Sequence, residues 1–191
     1  MILDLSLFRM GDVIVYKHEQ THPIKGFFGN NIVKQQLKIG LLPEFAQYSH
    51  TEICGGGLYN KDGERVGVES INVAPPKARA VDIIKTHKDR YVTVLRYNGY
   101  HEKLEARYKV AYASARLNNL PYDVKGIFGF VLNWVTHNQR FFFCSEHCTF
   151  AIRSQFPNEF PGFATSEVMP GHFLMFASQG KFSKIFEGRI K

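Results

Sequence analysis

The sequence predicts an α+β fold, on three observations. Stretches of β-character collect in the first half of the 191-residue chain, helical periodicity takes over from Lys103, and no strand–helix alternation of the kind that builds parallel sheets links the two halves. A single core suffices at this length, so residues 1–191 are expected to form one domain.

GDVIVY (11–16) reads as the first strand, opened by a turn glycine. In the loop-rich stretch after it, NIVKQQL (31–37) predicts a short helix capped by Asn30 or Asn31 and ended by Gly40 and Pro43. YSHTEICGGGLY (48–59) and RVGVESI (65–71) flank an Asp62-Gly63 turn signal and predict an antiparallel hairpin. A tight turn there pairs residue 61 with 64 and hence 50 with 75, unless the glycine run bulges or the loop is wider. APPKARA (74–80) reads as a Pro-rich connector and RYVTVLRY (90–97) as an alternating strand. Leu104, Tyr108, Ala111 and Ala115 form one stripe of an amphipathic helix ending near Asn118-Asn119 and Pro121. DVKGIFGFVLNWV (123–135) is apolar nearly all round and predicts a buried helix. A further helix runs from Cys144 to about Gln155, and GHFLMFAS (171–178) predicts the last strand.

Composition excludes several function classes. No apolar run reaches the roughly 20 residues that span a bilayer, and the N-terminus carries Asp4 in place of a basic leader, which predicts no secretory signal. The expected location is the cytosol, unless the chain is delivered elsewhere, for example as a phage or virion protein. Three cysteines without C-x-x-C spacing predict reduced thiols and no metal site. Lys and Arg outnumber Asp and Glu by 24 to 17, a net +7. That charge is scattered except in the tail KFSKIFEGRIK (181–191), which predicts a solvated surface and no specific nucleic-acid partner. No internal repeat and no phosphate-binding loop is present. The oligomeric state has no signature.

The chemistry gathers in FFFCSEHCTF (141–150). A lone cysteine is ordinarily small apolar packing, and Cys54 and Cys148 read that way. Cys144 differs: it stands where the aromatic run stops and a helix starts, so the dipole and unpaired N–H groups there favour its thiolate. Among eight histidines, His50 is the best base, lying on the predicted strand with Glu52 and Cys54 on the same face. His147 is the local rival. His18, His22, His87, His101 and His137 fall in loops or element ends and read as exposed. The third group, which orients the imidazole, is Glu69 on the second arm of the hairpin, with Glu52 as competitor.

These pieces, in this order, resemble the circularly permuted branch of the NlpC-type papain-like cysteine hydrolases, the YaeF/YiiX-like proteins related to lecithin:retinol acyltransferase. The resemblance rests on GDVIVY as the Gly-Asp strand, YSHTEI as the histidine strand, VES as the next strand, LPYD (120–123), and FCSE (143–146) at the helix start. It implies a small antiparallel, often barrel-like sheet packed against the nucleophile helix. It also implies Cys144 as nucleophile, His50 as base and Glu69 as third residue. Tyr122, Glu52 and Ser145 would then border the substrate.

The resemblance further implies acyl transfer through a thioester, without cofactor or metal. The leading substrate is an amide: a peptide, a peptidoglycan-derived peptide bond or an isopeptide. Two alternatives stand beside it, a lipid acyl hydrolase or acyltransferase acting on a lipid ester or amide, and a non-catalytic binding module. Glu52 occupies a position where the family commonly has a small residue, two after the histidine.

Overall fold

The computed structural model describes residues 4–19, 23–101, 103–121 and 143–191. Their fold is α+β: one six-stranded antiparallel sheet with helices packed on it. The strands are β1 (Val13–Lys17), β2 (Tyr48–Tyr59), β3 (Arg65–Ala74), β4 (Lys77–Asp82), β5 (Tyr91–Tyr97) and β6 (Phe182–Arg189). They lie in the order β4-β3-β2-β1-β5-β6, an open sheet rather than a closed barrel. The helices are α1 (Pro23–Lys38), α2 (Pro43–Ala46), α3 (Ile83–Thr86), α4 (Leu104–Arg116), α5 (Cys144–Arg153) and α6 (Pro170–Ser178).

Strand alternation divides the apolar residues between two cores. Val13, Val15, Ile53 and Leu95 face the helices and meet Val110 of α4, Cys148, Ala151 and Ile152 of α5, and Phe173 and Phe176 of α6. Ile14, Tyr16, Cys54, Val92 and Val94 face the other way, where Phe8, Ile83 and Ile190 cover them.

Gly11 and Asp12 anchor the first strand for separate reasons. Gly11 has φ +80°, and a Cβ there would stand 2.7 Å from the Tyr100 hydroxyl, which donates to the Gly11 carbonyl. Asp12 is fully buried and accepts both Nε and a terminal nitrogen of Arg96, at 3.0 and 2.8 Å, with Arg107 at 3.8 Å. Its charge is therefore matched by two guanidinium groups. The start of β2 is held by Gln36, whose Nε2 donates to the carbonyls of Ala46 and Tyr48 and whose Oε1 accepts from Gly171. Gly171 is required there, since a Cβ would meet the Phe45 carbonyl at 2.6 Å.

Several expectations need correction. Residues 171–178 are helical, not a strand: Pro170 opens α6 at its first position and Phe173, Leu174 and Phe176 are buried. The last strand is instead the basic tail, β6, an edge strand whose exposed residues are Ser183, Lys184, Glu187 and Arg189. Most of the connector 74–80 is β4, paired with β3 from Ala74↔Lys77 to Glu69↔Asp82. α1 begins eight residues before the expected helix. α4 buries Arg107, Val110, Ala111 and Ser114, leaving Leu104 and Tyr108 of the expected stripe exposed. The predicted helix 123–135 lies outside the described residues.

Candidate functional site

β2 carries the site because it sits between β1 and β3 with helices on one face. Its register sets Tyr16 opposite His50, Ile14 and Asn72 opposite Glu52, and Ser70 opposite Cys54. Pairs directly across an antiparallel ladder share a face, so His50, Glu52, Tyr16, Asn72 and Ser70 belong to one side.

Glu52 is the hub. It is fully buried, and four groups converge on it: His50 Nε2 at 3.1 Å and His87 Nε2 at 2.7 Å on Oε1, and the Tyr16 hydroxyl at 3.0 Å and the Ser70 hydroxyl on Oε2. Burial alone would raise its pKa, but the hydrogen bonds from His50 and His87 and their charges outweigh that and hold the carboxyl below the ordinary carboxylate range. Burial and the neighbouring carboxylate push Tyr16 well up, so it stays a neutral donor.

Cys144 is the first residue of α5, after Phe143 in extended conformation. It is buried, in a small cluster with Ile71, Val73, Ala78 and Phe143. Burial opposes its ionisation, but the charge and hydrogen bond of His50, with hydrogen bonds from Thr51, hold its pKa below the usual thiol value. The converse acts on His50: burial would lower it, yet the facing sulfur and Glu52 raise it from 6.5 to about 10. Each side chain thus favours the charged form of the other. The His50 side chain is 20 % exposed, which leaves the ring an opening to solvent.

Glu69 does not join them. The hairpin loop is wide, with Tyr59 opposite Arg65 and bulges between Cys54 and Gly56 and between Leu58 and Tyr59. Glu69 lands opposite Gly56, six residues beyond His50 and so roughly 20 Å along the strand. It also shares the face of Ile71, opposite to that of Glu52. There it lines a groove of about 460 Å³ with Met10, Ile71, Tyr108, Ala111 and Tyr112. Ser145 is fully buried, its carbonyl accepting from Thr149. Tyr122, with Phe141 and Phe142, lies outside the described residues.

His147 is no rival base. Its Nε2 lies 3.1 Å from the Ser114 hydroxyl, and burial lowers its pKa to about 4. Cys148 and Cys54 are buried thiols whose pKa burial raises, Cys54 to about 12. His87 was the unforeseen member: it caps α3 and points at Glu52 from 35 residues away, with no local pattern to announce it. Among the described residues, no three His, Cys, Asp or Glu side chains are placed to hold a metal ion, and no helix is long and apolar enough to cross a membrane.

Comparisons of the chain with protein-family models, curated proteins and solved structures find no match.

Proposed function

We propose that the chain is a cysteine hydrolase of the permuted papain-like kind, cleaving an amide through a thioester, with Cys144, His50 and Glu52 as its Cys-His-acid triad. The observation that carries this reading is the buried Glu52 carboxylate 3.1 Å behind the His50 ring, with Cys144 at a helix start where the charge of His50 favours its ionisation. His50 takes the Cys144 proton, and the thiolate attacks the carbonyl carbon. Backbone N–H groups in the first turn of α5 receive the oxyanion. His50 then gives its proton to the leaving amine, and water, deprotonated by the same ring, releases the acid and restores the thiol.

A second reading, a lipid acyl hydrolase or acyltransferase, is favoured by the groove beside Glu69. Ile71 lines that groove and also packs in the cluster that holds Cys144, so an apolar chain lying there would end near the sulfur.

Both readings are tested by intact-mass detection of an acyl adduct, using peptide and isopeptide amides against fatty acyl esters and amides as donors. An adduct on the unmodified protein that is absent from Cys144→Ala supports the thioester, and the donor class chooses between the readings. Undiminished turnover by Cys144→Ala would overturn both.

A further inference from the structure

We propose that the pocket between the α1–α2 turn and α6 binds an uncharged, mainly apolar small molecule with one hydrogen-bond acceptor, to which His172 donates its Nε2–H. Among the described residues the pocket shares no lining residue with the Cys144 cluster or with the groups around Glu52. Its occupancy therefore does not depend on the hydrolase chemistry.

The walls define the apolar part of the occupant. Leu41, Leu42, Phe45, Phe163, Met169 and Met175 line a pocket of about 660 Å³, within the roughly 300–1,000 Å³ that small-molecule sites span. Leu41 and Met169 are buried in it, while Leu42 stands exposed at its edge. The two thioethers are unbranched and adapt to the shape of what they touch. The frame behind them is tightly held. Gln36 of α1 accepts from the Gly171 N–H of α6 at 2.6 Å, and a Cβ at Gly171 would meet the Phe45 carbonyl of α2 at 2.6 Å. Both walls are thus positioned before a ligand arrives, which lowers the ordering cost of binding.

His172 defines the polar part. It is 2 % exposed, lines the pocket, and its Nδ1 accepts from the Met169 N–H at 2.9 Å. Burial pushes its pKa down to about 4, so the ring is neutral at neutral pH. With Nδ1 accepting, its one proton sits on Nε2. Among the described residues no group accepts from Nε2, and protein does not close that atom off. A donor set among apolar walls calls for an acceptor on the occupant, because an N–H shut away from water without one loses a hydrogen bond. Charge decides which acceptor. Glu167, the other ionisable residue lining the pocket, is exposed and already accepts from the Ala164 N–H at 2.7 Å. Among the described residues no Lys or Arg lines the pocket to match a carboxylate, and an unmatched charge against apolar walls is costly. A carbonyl oxygen on an aliphatic chain fits both walls and donor; a fatty carboxylate does not.

The test follows the isotope-labelled ε-methyl signals of the four methionines by NMR during titration with methyl nonyl ketone at neutral pH. Met169 and Met175 line this pocket, whereas Met10 lines the groove beside Glu69 and serves as the internal control. The proposal expects saturable shifts of Met169 and Met175 with Met10 unmoved, and weaker binding of decanoate, a chain of similar length that carries a charge. His172→Asn keeps a side-chain oxygen to accept from the Met169 N–H but has no donor at the Nε2 position. Its affinity for the ketone should fall roughly three- to tenfold, the effect of one hydrogen bond. Leu42→Glu changes an exposed residue at the pocket edge and should also weaken the ketone, so it reads the site even if the His172 variant does not fold. Met169 and Met175 signals that stay in place up to the solubility limit of the ketone, or a Met10 signal that moves equally with them, would overturn the site. Decanoate binding as tightly as the ketone, or an unchanged ketone affinity in a folded His172→Asn, would overturn the assigned ligand class.

Discussion

His50 and Glu52 stand two residues apart on β2, on one face, with Nε2 of the ring 3.1 Å from Oε1 of the carboxylate. The strand's period of two therefore puts the proposed base and the carboxylate behind it into a single local unit. Glu52→Gln removes one of the charges that favour the protonated His50 ring. Alkylation of Cys144 at neutral pH should fall roughly tenfold or more, the effect of about one pKa unit. Glu69→Gln, roughly 20 Å along the strand from His50, should leave the rate unchanged. Rates measured side by side check both.

A second prediction concerns the other thiols. Cys54 and Cys148 are buried and raised, whereas Cys144 is lowered. Brief alkylation of the native protein at neutral pH should modify one site, and peptide mapping should place it at Cys144.

How much of this was legible depended on whether a feature is local. β1 and the β2–β3 hairpin were readable as β-rich runs set off by turn residues, β5 by its alternation, and Cys144 as a helix start because the aromatic run ends at Phe143. The choice between Glu69 and Glu52 was not, because it turns on two bulges that alternation cannot count. His87 is brought to Glu52 by the β3–β4–α3 path. The buried face of α4 was misread because Arg107 lies inward beside Asp12, where a search for apolar stripes expects no arginine. α6 was misread because a run buried nearly all round has no helical polar face to show its period.

The Gly-Asp pair at the head of β1 should be costly to change. Gly11→Ala meets both a positive φ and the Tyr100 hydroxyl, and should destabilise by about 1–3 kcal/mol. Asp12→Ala strands Arg96 and Arg107 and should cost about 3–5 kcal/mol. Urea unfolding at pH 7 measures both.

Acid should weaken the fold before it titrates Glu52. His147 and His172 are buried with pKa near 4 against about 6.5 for a free ring. The unfolded chain thus binds more protons between those values, and stability falls as pH drops through that window and is flat above it. For His147 the full loss is roughly 3 kcal/mol. His50 acts in the opposite sense: its contribution is complete below about 6.5 and lost as pH rises through about 10. Urea midpoints should therefore peak near pH 6.5, and His147→Gln should show a shallower acid slope.

The most direct measurement is a pH titration of thiolate absorbance in the native protein, repeated with His50→Gln. An imidazole facing the sulfur predicts thiolate well below the free-thiol value of about 8.5 and its displacement to above that value once the ring is gone. Superimposable titrations, or thiolate appearing only at free-thiol pH in the unmodified chain, would contradict the pairing on which the proposed chemistry stands.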